Sequence, residues 1–531
     1  MSEGDEIETD VLYPEWTDYS KKNGLDPLGM QNTSVSLYQT FLPGISNVTL
    51  RMRYYGLYAW LANHYAKQIG DTDPESWKRI VRRTEALYAL IAQRKGGETG
   101  VAGTEWAQRT LDETTKDPID FATAAEPGSE TFYLKQAWGA FGAAYRSQLF
   151  EIGIFVASND HEIPLLSQES GVRLAAVFEE ALGELSAQFF EIIQSGRVTR
   201  EELDQLAAVV PSAISFEGQE RVLYQEILLS GGQPLDVASE SRRLTLLLVL
   251  RITELLGRDP KPEEIRWILY SGFDQDGSPL DLDSSDLMSQ RERWWVYQAN
   301  DLCHIALEAI LKFALDTLAT FPSGITMERL LPICAERMLS AVEPAPETWE
   351  AFLSSQNLAE NAYNAEVAES DWNLSGAVLR GAGRSDASVC SAETAWKALT
   401  LLAVLHKRVQ EDGHEVGSEL GVFDPESFRS LLSETRFLER QMEVPLTETV
   451  ARLIEERVLR RHLWIALKKL RYQGDYTFLV ETDEGRIRLR EKDGPVQTNP
   501  RLGPAINFLK DIHLISDEGL TSHGRRAVRG T

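Results

Sequence analysis

Apolar residues recur every three or four positions along most of this chain, which is the spacing that places side chains on one face of an α-helix. Clusters of Gly, Pro and Asp, such as residues 271–286, separate one such stretch from the next. The pattern therefore predicts a mainly α, multi-lobed helical protein. Its predicted helices occupy roughly residues 48–69, 74–95, 170–195, 217–229, 237–257, 288–320, 325–341, 390–411 and 446–472.

The composition of the chain is typical of a globular protein and argues against a secreted, membrane-spanning or zinc-binding one. Hydrophobic residues make up 43% of the chain and charged residues 25%, which is ordinary for a globular protein in water. The N-terminus lacks the features of a signal peptide, and the longest apolar runs, at 244–250 and 398–405, are far shorter than the roughly 20 residues that span a membrane. Three cysteines without a C-x-x-C pair give no recognisable zinc module. We therefore expect a cytoplasmic protein that makes no membrane contact.

The N-terminal 47 residues hold scattered aromatics and a turn at 43–44, which favours a loop-rich arm lying on the body of the protein. These aromatics are Tyr13, Trp16, Tyr19, Tyr38 and Phe41. Ser46 or Asn47 can cap a helix that starts at Val48. In that helix the spacing predicts a buried stripe formed by Leu50, Tyr54, Leu57 and Leu61.

The helix at about 453–472 carries the main surface prediction. Six of its residues are spaced by three or four and so project from one face. They are Arg457, Arg460, Arg461, Trp464, Lys468 and Arg471. The opposite face can pack against a core through Leu459, Leu463, Ala466 and Leu470. Residues 451–531 hold 16 Lys and Arg against 11 Asp and Glu, whereas the whole chain has 54 against 81, so this face suits a polyanion or an acidic partner.

Two stretches, 149–173 and 509–526, share one order of features: a helix end, a short strand, a turn, a second short strand and a helix capped by Ser or Thr. This order resembles the end of winged helix-turn-helix domains, where the hairpin is the wing. A further hairpin is predicted from 476–480 and 486–490 around Asp-Glu-Gly, because glycine tolerates the positive φ of a tight turn. Alternation along its second strand puts three arginines on one face: Arg486, Arg488 and Arg490.

The length of 531 residues exceeds what a single core supports, since domains average about 150 residues. Shifts in composition and turn-rich stretches mark the expected boundaries. We predict an aromatic-rich arm at 1–47, an N-terminal helical domain with a winged-helix-like end at 48–196, a central helical domain at 197–375, a linker and helical segment at 376–444, and a basic winged-helix-like domain at 445–531.

No catalytic or metal-binding motif stands out in the sequence. The aspartates at 274–286 begin like a calcium loop but lack its third oxygen ligand and its terminal Glu. The glycine-rich stretch 376–384 has no Gly-Lys-Ser/Thr ending, so it is interpreted as a flexible linker rather than a phosphate loop. The eight histidines show no metal-ligand spacing. We expect no cofactor, no metal and no catalysis; a nuclease with a site built from scattered residues is the third hypothesis.

The nine residues of the basic helix face and the hairpin are the predicted nucleic-acid contacts, because arginine offers a planar fork to phosphates and tryptophan a surface for stacking. Two other interpretations stay open. The face can form salt bridges with the acidic body or simply face solvent. It can also dock an acidic protein partner.

Residues 28–55 combine Leu28-Gly29, the turn Pro43-Gly44-Ile45-Ser46 and Arg51-Met52-Arg53-Tyr54. This combination resembles the N-terminal signature of large uncharacterised bacterial proteins found in phage-defence loci. Such proteins look like accessory components encoded beside helicases, nucleases or ATPases. The resemblance implies a non-catalytic subunit of a multi-component anti-phage defence complex that contacts DNA or another nucleic acid and an ATPase, helicase or nuclease. The alternative is a purely protein-binding scaffold that docks an acidic partner.

Overall fold

A computed structural model describes residues 26–229, 236–384, 388–411, 416–424 and 428–529. Within these ranges the chain is built mainly from α-helices, which confirms the predicted fold class. None of these helices is long and apolar enough to cross a membrane. The first eight helices are α1 (Gln31–Phe41), α2 (Arg53–Gln68), α3 (Pro74–Lys95), α4 (Thr104–Glu113), α5 (Ala122–Ala125), α6 (Arg146–Glu151), α7 (Gly171–Leu182) and α8 (Leu185–Ser195).

The long helices predicted between residues 217 and 411 are confirmed to within three residues, and 446–472 is helical throughout. The stretch predicted as one helix at 170–195 is instead divided into α7 and α8 at Gly183, whose φ is 56°. The middle group comprises α9 (Arg200–Gln205), α10 (Gln219–Leu229), α11 (Val237–Leu256), α12 (Pro262–Ser271), α13 (Ser285–Leu318), α14 (Met327–Leu339), α15 (Trp349–Ser355) and α16 (Asp371–Gly381). The last group comprises α17 (Ala392–Glu411), α18 (Val416–Phe423), α19 (Leu431–Glu439), α20 (Leu446–Arg452), α21 (Arg460–Gln473), α22 (Leu502–Asp511) and α23 (Ser522–Arg529).

The strands are short and pair as antiparallel two-stranded sheets, β1 with β4, β2 with β3, β5 with β6 and β7 with β8. Their bounds are β1 (Ile119–Asp120), β2 (Phe155–Val156), β3 (Leu165–Leu166), β4 (Arg197–Val198), β5 (Val480–Asp483), β6 (Arg486–Leu489), β7 (Ile515–Ser516) and β8 (Gly519–Leu520). A π-helix lies at Phe141–Tyr145 and another at Leu453–Leu459.

Helix α13 runs through the centre of the protein. Every one of its residues from Trp294 to Leu318 is buried, as expected of a helix that is covered on all sides. It packs against α1, α11, α12, α16 and α17. The amide of Asn300 joins two of its neighbours, because it donates to Ser34 Oγ at 2.9 Å and accepts from the Leu431 N–H at 2.9 Å. Elements distant in sequence are thereby fixed to one central helix.

The prediction of a loop-rich N-terminal arm is wrong for residues 31–41, because these residues form helix α1. Tyr38 and Phe41 are buried there, and their rings pack on Tyr297 and Trp294 of α13. The helix was not predicted because polar residues on the outer face of α1 interrupt its apolar periodicity. The predicted arm aromatics Tyr13, Trp16 and Tyr19 lie outside the described residues.

The helix predicted to start at Val48 begins at Arg53 instead. Residues 46–49 form a turn, and the carboxylate of Asp511 accepts the N–H of Met52 at 2.8 Å, so the cap of α2 comes from α22 rather than from a local side chain. The predicted stripe is confirmed for its last three members, which are fully buried: Tyr54, Leu57 and Leu61. It is wrong for Leu50, which precedes the helix and is exposed.

The prediction of a flexible linker at 376–384 is wrong for residues 376–381, because they belong to helix α16. Leu374 and Val378 of this helix are buried against the core. At its start Asp371 forms a buried ion pair with Arg408 of α17. The helix persists despite its glycines because one apolar face is covered.

Contacts also cross the predicted domain boundaries. Ile487 of β6 pairs with Ile325, which lies between α13 and α14. Arg51 forms an ion pair of 2.9 Å with Asp511. Described residues from all five predicted segments contribute to one contiguous hydrophobic core. The boundaries themselves stay predictions, but the C-terminal segment does not stand apart from the body.

The repeated helix–hairpin–helix order is confirmed at both sites. One unit is α6–β2–β3–α7 and the other is α22–β7–β8–α23. Ser167 Oγ accepts the N–H of Gly171 at 2.9 Å and donates to the Gly153 carbonyl, while Thr521 Oγ1 accepts the N–H of Gly524 at 3.1 Å and donates to the His513 carbonyl. Each hydroxyl thus caps a helix and ties it to the residue before the hairpin. The assignment of these units to winged helices stays a prediction.

Candidate nucleic-acid interface

Helices α20 and α21 are joined by the π-helix at Leu453–Leu459, so residues 446–473 form one continuous helical stretch. On its inner face Leu459 and Ala466 are buried, as predicted, and Leu463 is half-buried. The prediction for Leu470 is wrong. This side chain is exposed, because residues 470–474 all lie at the surface where the body no longer covers the helix.

Two of the six predicted surface residues lie inside the protein. Arg457 Nη2 is 2.8 Å from Glu434 Oε1, and Arg461 Nη2 is 2.5 Å from the same oxygen. Both guanidinium groups also lie over the ring of Phe428, at 5.5 and 5.1 Å from its centroid. The prediction that all six residues share one exposed face is therefore wrong for Arg457 and Arg461, because α19 and Phe428 cover this part of the helix.

Glu434 holds these two arginines as a buried ionic cluster. Burial alone would raise the pKa of Glu434, but the positive charges of Arg461 and Arg457 outweigh it and hold the pKa below its ordinary value. The carboxylate therefore stays ionised in the core. Buried charges of this kind need partners, so the two arginines are fixed in the core and cannot reach a ligand.

The remaining helix residues form a surface that we name the α21 surface, defined as Arg460, Trp464, Lys468, Arg471 and Tyr472. Trp464 is 42% exposed and Tyr472 is 71% exposed. The Lys468 ammonium lies 5.2 Å from the Trp464 ring centroid, and the Arg471 guanidinium 5.6 Å from that of Tyr472. Among the described residues no carboxylate pairs with Lys468 or Arg471, whereas Arg460 is paired with Glu455. Two cations, each beside an aromatic ring, are thus available to a ligand.

A cleft opens beside the α21 surface. It has a volume of about 460 Å³ and is lined by Phe428, Glu456, Arg460, Arg461 and Trp464. The rings of Phe428 and Trp464 are 5.3 Å apart and inclined at 71°. A planar group can enter against the exposed part of Trp464, with the guanidinium of Arg460 beside it.

Exposed apolar side chains at the C-terminal end of α21 were not predicted from the sequence. Leu467 is 56% exposed, and Tyr476 extends the aromatic series past the end of α21. Leu467 follows Trp464 by three positions, so the spacing was visible. Its exposure was not, because the sequence does not show which turn of the helix the body leaves uncovered.

The predicted hairpin forms as β5–β6 around Glu484 and Gly485, whose φ angles are 47° and 76°. Its first strand lies at Val480–Asp483 rather than at the predicted 476–480. Positive φ at both central residues is the conformation of a type I′ turn. Along β6 the predicted alternation is confirmed, since Arg486 and Arg488 are exposed while Ile487 between them is buried.

Two of the three hairpin arginines are partly neutralised. Arg488 pairs with Asp483 at 2.9 Å, and Arg490 lies 3.4 Å from Glu481 and over the Tyr476 ring. Among the described residues Arg486 has no carboxylate partner. The hairpin therefore adds less positive charge than its sequence suggests.

His462 fixes the hairpin to α21. Its Nε2 accepts the N–H of Leu479 at 2.9 Å, and its Nδ1 lies 3.2 Å from the carbonyl oxygen of Pro27. This pairing requires a neutral ring with its proton on Nδ1. Burial lowers the pKa of His462 to about 4, which keeps the ring neutral.

One group of potential metal ligands lies near this helix. Asp26, His304 and Glu308 each place a ligand atom within 4.8 Å of the others, and His304 Nε2 is 3.0 Å from Glu308 Oε1. Burial opposes protonation of His304, but Glu308 and Asp301 raise its pKa well above the ordinary value. The Lys469 ammonium donates to the backbone carbonyl of Asp26 at 3.0 Å, which places a positive charge beside the cluster. The i, i+4 spacing of His304 and Glu308 was the sequence signal for this cluster.

The chain matches no protein-family model, no curated protein and no solved structure. No relative therefore assigns a role to any of its residues. The function is therefore inferred from the chemistry of the α21 surface and of its neighbouring cleft.

Proposed function

We propose that this chain is a non-catalytic subunit of a bacterial multi-component anti-phage defence complex, and that it contacts single-stranded nucleic acid through the α21 surface. The observation that carries the proposal is the placement of Lys468 beside the exposed ring of Trp464, next to an aromatic-lined cleft. Proteins that bind single strands combine cations that follow the backbone with aromatic rings on which bases stack.

The charge of the whole chain supports a single strand over a duplex. The protein carries a net charge of −27, so a rigid double helix lying across α21 would also face an acidic body. A flexible strand needs only a local patch. Lys468 and Arg471, three positions apart on α21, are exposed and have no carboxylate partner among the described residues, so they supply such a patch.

Membership of a defence complex is supported by the resemblance of residues 28–55. Several of those residues hold the fold together. The Gly44 N–H donates to Glu151 at 2.9 Å, the Tyr55 hydroxyl donates to the Gly44 carbonyl at 2.7 Å, and Arg53 forms a buried ion pair with Glu220. These residues of the motif thus contribute contacts that hold the fold together.

A second candidate function is docking of a protein partner, such as an ATPase, helicase or nuclease. The exposed Leu467 and Leu470 favour it, because exposed apolar side chains on a helix are typical of a face that packs into a partner's groove. Cations beside them suit an acidic rim on that partner. The two functions share α21 but depend on different side chains.

Fluorescence anisotropy of labelled oligonucleotides with the full chain tests the proposal. The full chain is needed because the C-terminal segment shares its core with the body. Trp464→Leu should weaken single-strand binding by about tenfold or more, since a stacked base contributes about 1–3 kcal/mol, whereas Trp464→Phe should retain most of the affinity.

The matched control for protein docking is the double variant Leu467→Ser, Leu470→Ser. It removes apolar surface but no ring and no cation, so it should leave oligonucleotide affinity unchanged. Equal affinities for the wild type and Trp464→Leu would contradict nucleic-acid contact at this surface. A loss of oligonucleotide affinity in the double leucine variant as large as that of Trp464→Leu would contradict base stacking on Trp464 as the source of the affinity.

A further inference from the structure

A second cleft lies on another part of the protein, between α10, α11 and α23. Its volume is about 730 Å³, within the range of sites that bind small molecules. Its lining includes the apolar side chains of Val222 and Leu247 together with Arg221, His523 and Arg526. None of these residues belongs to the α21 surface.

Arg221 is buried without a carboxylate partner. It is only 6% exposed, and its Nη1 donates to Gln225 Oε1 at 2.7 Å. Its Nε has no hydrogen-bond partner. Burial and the nearby charge of Arg526 lower the pKa of Arg221, although Glu217 acts in the opposite direction. A buried guanidinium beside a second one is costly unless an anion neutralises them.

His523 and Arg526 complete a set of donors. Arg526 Nη2 donates to His523 Nδ1 at 2.6 Å, so the neutral imidazole carries its proton on Nε2. Burial and the two arginines lower the pKa of His523, which keeps the ring neutral. The Nε2 atom is buried and has no hydrogen-bond partner. It therefore offers one more N–H group at the cleft.

The carboxylates of the cleft do not neutralise these donors. Glu226 is engaged by Arg173, whose two terminal nitrogens donate to its two oxygens at 2.7 and 2.9 Å. The side chain of Glu217 is 79% exposed at the rim, and its Oε1 lies 3.6 Å from His523 Nε2, beyond hydrogen-bond distance. One exposed carboxylate at the rim thus faces two guanidinium groups.

We propose that this cleft binds the phosphate group of a nucleotide-sized ligand. Arg221 and Arg526 place planar forks that match phosphate oxygens, and His523 Nε2 donates a further hydrogen bond. The side chains of Val222 and Leu247 cover the less polar part of the ligand. Glu217 competes with the phosphate for the same donors. The site is independent of the α21 surface, so either proposal can fail without the other.

Isothermal titration of the full chain tests this site with three probes: inorganic phosphate, a nucleoside monophosphate and an unphosphorylated single-stranded oligonucleotide. The nucleoside monophosphate should bind more tightly than inorganic phosphate, because it also covers these apolar side chains. Arg526→Gln should weaken this binding at least tenfold. Glu217→Gln should strengthen it, since the competing charge is gone.

Arg525→Gln is the matched control, because the neighbouring Arg525 is exposed and donates to the Leu520 carbonyl rather than lining the cleft. Arg526 is also exposed, so its replacement should not disturb folding. Weaker binding of the mononucleotide in Arg526→Gln assigns the phosphate to a free nucleotide, and weaker binding of the oligonucleotide alone assigns it to a strand. Unchanged binding of all three probes in Arg526→Gln, or binding of none, would overturn the proposal.

Discussion

Arg461 donates to the carboxylate of Glu434 inside the core, although its spacing along the helix places it beside residues that reach solvent. The same carboxylate accepts from Arg457. Two groups of positive charge on this helix can therefore be distinguished. One is structural and neutralised by Glu434, and the other, with Lys468 and Arg471, is free of carboxylate partners among the described residues.

Replacing Glu434 should destabilise the protein strongly. Glu434→Gln leaves Arg457 and Arg461 buried without their shared counter-charge, which costs about 3–5 kcal/mol in the free energy of unfolding. The control is Glu448→Gln, which breaks the exposed pair of Glu448 with Arg452 and should cost about 0–1 kcal/mol. Urea denaturation of both variants measures the difference. Equal losses would show that the buried cluster contributes no more than a surface pair.

Acid should weaken the protein through His462. Its folded pKa of about 4 lies below the ordinary 6.5, so the unfolded chain binds the proton more readily. The stability from the neutral ring is full above pH 6.5 and is lost as the pH falls towards 4. Between pH 7 and pH 5 the loss is about 2 kcal/mol.

His462→Gln should reduce this acid-dependent loss, whatever its effect on stability at pH 7. Denaturant titrations at pH 7 and pH 5 measure the loss for each variant. An unchanged difference in His462→Gln would mean that the ring does not stay neutral in the folded protein.

The packing of α2 gives a third expectation. Leu57 is fully buried, so Leu57→Ala should lower the free energy of unfolding by about 2–5 kcal/mol through lost burial and a cavity. Val48→Ala, at an exposed position before the helix, should change it by no more than about 0.5 kcal/mol. A melting temperature that does not move in Leu57→Ala would contradict the burial of this face.

The two helix–hairpin–helix units should respond alike to loss of their caps. Ser167→Ala and Thr521→Ala each remove an oxygen that accepts a backbone N–H, at a cost of about 1 kcal/mol. Thr521→Ser keeps the oxygen and should be nearly neutral. Ser522→Ala changes the adjacent exposed hydroxyl and serves as the control. A loss at only one of the two caps would show that the units are not equivalent.

Helices and turns were predicted correctly where the spacing of neighbouring residues determines the local structure. Helix α13 and the turn at Glu484 and Gly485 follow from apolar periodicity and from glycine in the turn. The start of α2 could not be predicted, because its cap is Asp511, more than 450 residues away. Helix α16 was missed because its glycines outweighed a short buried stripe.

The sequence predicted only part of the candidate interface, because local spacing decides some of its residues and contacts between distant helices decide the others. Helical spacing correctly grouped Trp464, Lys468 and Arg471. The same spacing could not show that Glu434 takes Arg461 out of this group, since the contact joins two helices. Which turns of a helix are covered is decided by distant parts of the chain.

The salt dependence of single-strand binding tests the account most directly. The logarithm of the binding constant should fall linearly with the logarithm of salt concentration, and each lost phosphate contact on a single strand reduces the slope by about 0.7. The double variant Lys468→Gln, Arg471→Gln should therefore lose about 1.4 of the slope, while the exposed control pair Lys67→Gln, Lys116→Gln should keep the wild-type value. Identical slopes in all three proteins, or no binding by the wild type at low salt, would contradict nucleic-acid contact at the α21 surface.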